Sequence, residues 1–107
     1  MIVEYIRYKI PIERQREFEE AYSNASQSLN ASKHCQMYEL THCTEEELEL
    51  YILRIEWDSP DGHMKGFRNS PEFGEFFRHV QPFYNNIQEM RHYEPTKVMR
   101  RKDSSVS

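Results

Sequence analysis

The hydrophobic periodicity of this chain switches between two residues and 3.6 residues, and this switching limits the fold more than any other feature. Residues 1–10 alternate between apolar and polar positions and are rich in β-branched and aromatic types, which predicts a strand. Residues 13–30 place their apolar side chains on one stripe with a period of 3.6, which predicts an amphipathic helix. The strand pattern returns at residues 33–42, 48–57 and 86–94, and short helices are predicted over residues 60–68 and 71–80.

The resulting order, β-α-β-β-α-β, predicts an α+β fold of the ferredoxin-like type, with an antiparallel four-stranded sheet and the helices on one face. In the third strand, Tyr51, Ile52 and Leu53 place apolar side chains on both sides of the strand, so both faces of the sheet need a cover. The helices supply one cover. A second copy of the chain, packed sheet to sheet, supplies the other, and we therefore predict a homodimer.

Length and composition narrow the class of protein further. The 107 residues suit one domain, predicted at residues 1–94 and followed by a polar, disordered tail at 95–107. A net charge of -4 argues against a nucleic-acid partner. No apolar run approaches the ~20 residues that span a bilayer, and no signal peptide is recognised, so a cytoplasmic protein without a membrane partner is expected. Cys35 and Cys43 are predicted to be reduced thiols.

The segment RIEWDSPDGHMKGFRNSPEF, residues 54–73, contains the only tryptophan of the sequence. It also contains Ser-Pro followed by an acidic residue twice, a pattern typical of helix starts. With the predicted order of elements, this segment resembles the antibiotic biosynthesis monooxygenase superfamily of dimeric α+β barrels. The resemblance covers about residues 1–94. The positions that match the family layout are Trp57, Ser59, Asp61, Ser70 and Phe73.

The resemblance implies an activity as well as a fold. The best-defined enzymes of the family oxidise quinols or anthrones with molecular oxygen and use neither metal nor flavin, so the expected substrate is a small phenolic or quinol and no cofactor is expected. A second branch of the family binds and degrades haem, with an Asn on the first strand and a His about ten residues beyond the Trp. Here the first strand has no Asn and the tenth residue beyond Trp57 is Phe67, and both departures count against haem degradation.

Such chemistry needs an apolar cavity, a proton acceptor and a donor for the developing oxyanion. We expect Trp57 to wall the cavity, His63 to act as the base, and Arg54 or a strand tyrosine to stabilise the oxyanion. The alternatives are a buried core Trp57, a solvated His63 and an Arg54 paired with Glu56. No histidine pair has the helical spacing of a zinc site, so no metal site is expected. The expected substrate-binding residues are Tyr8, Tyr51, Phe67 and Phe77.

Two further functions stay open at this point. One is a non-catalytic module that binds a small ligand or haem in the same cavity. The other is a dimerisation domain whose own aromatic side chains fill the cavity. An open cavity with His63 facing inward favours the enzyme, and an unbroken core around Trp57 favours the dimerisation domain.

Overall fold

The computed structural model describes residues 1–102, and its centre is a single antiparallel sheet of four strands. The strand order is β2-β3-β1-β4, so β1 lies between β3 and β4 and the edges are β2 and β4. This is the ferredoxin-like arrangement that the sequence predicts, and the fold class is confirmed. The strands are β1 (Ile2–Lys9), β2 (Cys35–His42), β3 (Leu50–Trp57) and β4 (Ile87–Tyr93).

Two α-helices pack on one face of this sheet. Helix α1 spans Gln15–Ala31 and is preceded by a 3₁₀ turn at Ile12–Arg14. Helix α2 spans Pro71–Val80, as predicted, and Pro82 lies in a 3₁₀ segment, Gln81–Asn86, that leads into β4. The apolar stripe of each helix faces the sheet because most strand side chains on that face are apolar, and the shared core is largely aromatic.

The region between β3 and α2 differs from the single short helix predicted at residues 60–68. A π-helical turn, Gly62–Gly66, follows one helical turn at residues 60–61, and a 3₁₀ turn, Phe67–Asn69, completes the connection. Ser59 does begin this region, because its Oγ accepts a hydrogen bond from the Gly62 amide at 2.8 Å. Ser70 precedes α2 but does not cap it with its side chain, since its hydroxyl donates to the Phe67 carbonyl at 2.7 Å.

The second face of the sheet carries no helix. Tyr5, Ile52 and Tyr93 lie on it and are 36%, 37% and 47% exposed. Residues 94–102 form neither helix nor strand and are exposed, and the last five residues of the predicted tail, 103–107, lie outside the described part of the chain. Within residues 1–102, no helix is both long enough and apolar enough to cross a membrane.

Candidate functional site

A small cavity opens between the sheet and α2. Its volume is about 90 Å³, and aromatic side chains from both layers form most of its wall. Two half-exposed side chains of its lining, Tyr84 and Met90, lie next to solvent and mark its mouth. The lining also includes Glu4, Tyr8, Tyr22, Trp57, His63, Phe67, Arg68, Phe73, Phe76 and Phe77.

Glu4 is the unexpected member of this wall. It lies on the same side of β1 as Ile2 and Ile6 and therefore points to the helix-covered face, where it is only 3% exposed. Its Oε1 accepts a hydrogen bond from the indole Nε1–H of Trp57 at 3.1 Å. Trp57, at the end of β3, is fully buried. The strand register thus holds a carboxyl group and an indole N–H together at the cavity wall.

His63 and His92 extend the Glu4–Trp57 pair toward the surface. The His63 ring stacks on Trp57, with the ring centroids 4.3 Å apart, and its Nε2 lies 3.5 Å from Glu4 Oε1. Its Nδ1 lies 2.7 Å from Nε2 of His92, so one imidazole donates to the other. His92 is exposed and stands directly opposite Glu4 in the β1–β4 ladder. Glu4, His63 and His92, which we call the Glu–His–His cluster, run from the cavity to solvent.

Burial sets the ionisation of these groups. It raises the pKa of Glu4 to about 7, although the Trp57 hydrogen bond and the charge of Arg68 work in the opposite direction. Burial, with smaller contributions from His92 and Arg68, lowers the pKa of His63 to about 4. At neutral pH the imidazole of His63 is therefore uncharged, and the carboxyl group of Glu4 exchanges protons near the ambient pH, as an efficient general base does.

Two tyrosine hydroxyls supply the polar end of the cavity. Tyr8 on β1 and Tyr22 on α1 are both buried, and their hydroxyl groups form a hydrogen bond with each other. Burial raises the pKa of Tyr8 to about 12 and that of Tyr22 well above its ordinary value, so both hydroxyls keep their protons. The mutual bond uses one of the two protons, and the second proton can be donated to a ligand.

The π-helical turn positions His63 because two glycines let its backbone approach His34 and Asp58. A Cβ atom at Gly62 would lie 1.9 Å from an oxygen of Asp58, and one at Gly66 would lie 2.4 Å from Nε2 of His34. His34 and Asp58 are themselves joined at 2.9 Å. The glycines at both ends of GHMKG thus dock the turn against the start of β2 and the end of β3, which fixes the direction of the His63 ring.

Not every predicted site residue reaches the cavity. Arg54 lies on the helix-free face, where its guanidinium donates to Glu56 at 2.7 Å and to the Tyr5 hydroxyl at 3.1 Å. The pairing of Arg54 with Glu56 is the alternative that the sequence allowed. Tyr51 is buried on the helix side, but its hydroxyl donates to Glu19 and its ring stacks on His42, away from the cavity.

The other predicted residues do come together. Trp57 contacts both His63 and Phe67: the His63 ring stacks on the indole, and the Phe67 ring is tilted against it with the centroids 5.0 Å apart. Tyr8 and Phe77 line the same cavity from β1 and α2. The residues that sequence reasoning missed are Glu4, His92 and Arg68.

The fold and this site define a class of protein: a ferredoxin-like α+β domain with a small aromatic cavity between its sheet and its second helix. The family model described as antibiotic biosynthesis monooxygenase matches residues 1–79, and the chain belongs to this family. The resemblance inferred from residues 54–73 is thereby confirmed.

The individual relatives share 12–30% of their residues with this chain. The uncharacterized protein YczJ of Bacillus subtilis (strain 168) is 30% identical over 80 residues, which cover 75% of this chain and 83% of YczJ. The solved structure of SnoaB, a cofactor-independent oxygenase from Streptomyces nogalater, superposes with a TM-score of 0.74 at 12% identity, covering 92% of this chain and 95% of SnoaB. A candidate antibiotic biosynthesis monooxygenase from Bordetella bronchiseptica gives 0.73 at 23% identity, with 89% and 96% covered. Both similarities establish the fold.

Proposed function

We propose that this protein oxidises a small phenolic or quinol-type substrate with molecular oxygen, without a metal or flavin cofactor, in the cavity beside Trp57. The observation that carries the proposal is the buried carboxyl group of Glu4 in a wall that is mostly aromatic and aliphatic. A phenolic ring packs well against such walls, and a carboxylate held in place by an indole N–H is a suitable acceptor for its proton. SnoaB, which shares this fold, is a cofactor-independent oxygenase, and this is in keeping with the proposed chemistry.

We assign the role of base to Glu4 rather than to His63. The ring face of His63 is covered by Trp57, and its two nitrogens are directed at Glu4 and His92. No lone pair of His63 is therefore left for a substrate. Instead, His63 and His92 can relay the proton that Glu4 accepts, because the pair ends at an exposed imidazole. The hydroxyls of Tyr8 and Tyr22 take the oxyanion role expected of Arg54, which lies on the other face.

In the proposed reaction, molecular oxygen is the sole oxidant and accepts all the electrons that the substrate loses. Glu4 removes the acidic proton of the substrate, and the resulting anion transfers one electron to O₂. The substrate radical and superoxide combine to form a carbon–oxygen bond, and protonation gives a hydroperoxide. The hydroperoxide then loses water, which breaks the O–O bond and leaves a quinone carbonyl. The water consists of the distal oxygen, the proton just added to it and the hydrogen that remained on the same carbon. The protein contributes the base, a hydrogen-bond donor for the oxyanion and a cavity that excludes water.

The size of the cavity favours a single ring. A cavity of about 150 Å³ in a protein core takes up benzene, and the present cavity measures about 90 Å³. Even one ring therefore requires the exposed side chains of Tyr84 and Met90 to swing outward. Haem is far larger than this space, which argues against the haem-binding alternative. The cavity with His63 in its wall is the arrangement expected of an enzyme rather than of a dimerisation domain.

The proposal predicts oxygen consumption by metal-stripped protein. Incubation with an electron-rich dihydroxybenzene should consume oxygen and form a quinone well above the uncatalysed background, measured with an oxygen electrode and by quinone absorbance. Heat-denatured protein serves as the blank, and catalase and superoxide dismutase exclude free radical chains. If none of a panel of single-ring and fused-ring quinols turns over, the non-catalytic binding module becomes the better assignment.

We also propose that the helix-free face of the sheet forms a homodimer, as in the dimeric barrels that the family resemblance implies. An interface of ordinary size buries roughly 800 Å² per partner. Ile52 lies at the centre of β3 on this face and is partly exposed. We therefore expect a dimer in sedimentation velocity at micromolar concentration, and Ile52→Lys should shift it to monomer because it buries an unpaired charge.

Ile12 provides the matched control for the dimer. It is also an exposed isoleucine, at 56%, but it lies in the turn before α1 and away from the helix-free face. Ile12→Lys should leave the sedimentation coefficient unchanged. A wild-type monomer, or equal effects of the two lysine substitutions, would refute an interface on this face of the sheet.

A further inference from the structure

The geometry points to a site for one divalent first-row transition ion, such as Zn²⁺, at the Glu–His–His cluster. Glu4, His63 and His92 each offer one ligand atom, and the three atoms lie within 4.8 Å of one another. They come from β1, the π-helical turn and β4, so the fold rather than local sequence spacing brings them together. Two imidazoles with one carboxylate are a common protein ligand set for zinc and for non-haem iron.

The surroundings of the cluster suit an ion. Trp57 Nε1–H donates to Glu4 Oε1 and so holds the carboxylate from outside the ligand set, which is how ligating carboxylates are usually oriented. Glu4 and His63 are each 3% exposed, while His92 is open to solvent and gives an ion a path of entry. The cavity beside Glu4 leaves room for a water as a further ligand.

The distance between the two imidazole nitrogens requires only a small adjustment. Zinc binds imidazole nitrogen at about 2.0–2.1 Å, so two nitrogens in tetrahedral positions lie about 3.3 Å apart. Nδ1 of His63 and Nε2 of His92 are 2.7 Å apart. An opening of about 0.6 Å, by the same zinc geometry, would bring this nitrogen pair to that separation. His92 can supply it because it is exposed and lies on the edge strand β4. The carboxylate of Glu4 then closes on the ion by side-chain rotation, since the three ligand atoms lie within 4.8 Å of one another.

One neighbouring charge opposes a cation. Arg68 lies close enough to influence Glu4, His63 and His92 electrostatically. Its side chain is exposed, however, and its guanidinium lies over the Phe73 ring at 5.1 Å from the ring centroid. This distance is within the ~6 Å reach of a cation–π contact. The negative charge of Glu4 offsets the positive charge of Arg68, so the site can still accept a divalent ion.

An ion at this site would act on the proposed reaction as an inhibitor, because a metal-bound Glu4 no longer accepts a proton. Binding of the ion does not depend on the proposed function, whereas the inhibition does. The two can therefore be separated by measuring uptake directly and oxidation independently.

Titration of the metal-stripped full chain with Co²⁺ tests the site. We expect uptake of one ion per chain by calorimetry and the visible d–d absorption of cobalt bound to nitrogen and oxygen ligands. Zn²⁺ should displace it. His92→Ala, which removes an exposed ligand and should fold normally, is expected to weaken Co²⁺ binding at least about 10-fold, since even the loss of an outer-shell partner can cost that much.

His79→Ala is the matched control. His79 also faces a carboxylate, with Nε2 3.7 Å from Glu75, but the pair lies on the surface of α2. This variant should bind Co²⁺ like the wild type. The inference is overturned if the wild type takes up no ion, or if His92→Ala and the wild type bind equally well. Uptake without any loss of oxidation would leave the metal site standing and would argue against Glu4 as the base.

Discussion

Replacing Glu4 by Gln should lower the rate of oxidation by roughly 10²–10⁴-fold, the usual contribution of a positioned general base. The amide of Gln can still accept the hydrogen bond from Trp57 Nε1, so the variant should keep the wall of the cavity intact. The change therefore removes proton acceptance with little effect on packing. Initial rates of quinone formation by metal-stripped protein, at saturating and limiting substrate, would measure the loss.

Glu20→Gln is a suitable control, because Glu20 is an exposed carboxylate on α1 and contributes nothing to the cavity. It should oxidise the substrate at the wild-type rate. Should Glu4→Gln also retain that rate while circular dichroism shows a folded protein, Glu4 is not the base. The relay partner His63 would then need to be tested again as the proton acceptor.

Replacing Trp57 by Ala should be the most damaging change to stability. Trp57 is fully buried and contacts both His63 and Phe67, so truncation leaves a large cavity and costs on the order of 3–5 kcal/mol. For a domain of this size the melting temperature should fall by more than about 10 °C. Differential scanning calorimetry, with chemical unfolding as a second measurement, would detect the change.

Two further variants show what the indole contributes. Trp57→Phe fills much of the volume but cannot donate to Glu4, so it should cost less stability than Trp57→Ala and still impair oxidation. Tyr84→Ala removes an aromatic ring at the exposed mouth and should change stability by less than about 0.5 kcal/mol. Equal destabilisation by Trp57→Ala and Tyr84→Ala would show that the core does not depend on Trp57.

The order of strands and helices could be predicted because each element has the hydrophobic period of its own structure. The region after Trp57 was harder. Ser59 and Pro60 predict a helix start correctly, but a π-helical turn has no pattern that distinguishes it from an α-helix over five residues. The π-helical turn forms because of a tertiary contact: the backbone at Gly62 and Gly66 must fit against His34, which lies about thirty residues earlier in the sequence.

The site was predicted in part. The alternation of side chains between the two faces of a strand explains which predicted residues do not reach the cavity. Arg54 and Trp57 are three residues apart on one strand, so they must point to opposite faces. Tyr51 has the parity of Trp57 but lies six residues away, about 20 Å along the strand. The sequence does distinguish Glu4, because it is the one charged residue on the apolar side of β1. No comparable feature distinguishes His92 until the pairing of β1 with β4 places it opposite Glu4.

The cavity is built by two layers that differ in what they contribute. Glu4 and Trp57, to which we assign the proposed chemistry, lie on adjoining strands of the sheet, whereas Phe73, Phe76 and Phe77 on α2 line the cavity from the helix side. Mutation of α2 could therefore alter which molecules enter while the reactive groups stay in register. A protein organised in this way can change its substrate range over evolution, or by directed selection, without rebuilding its proton-transfer machinery.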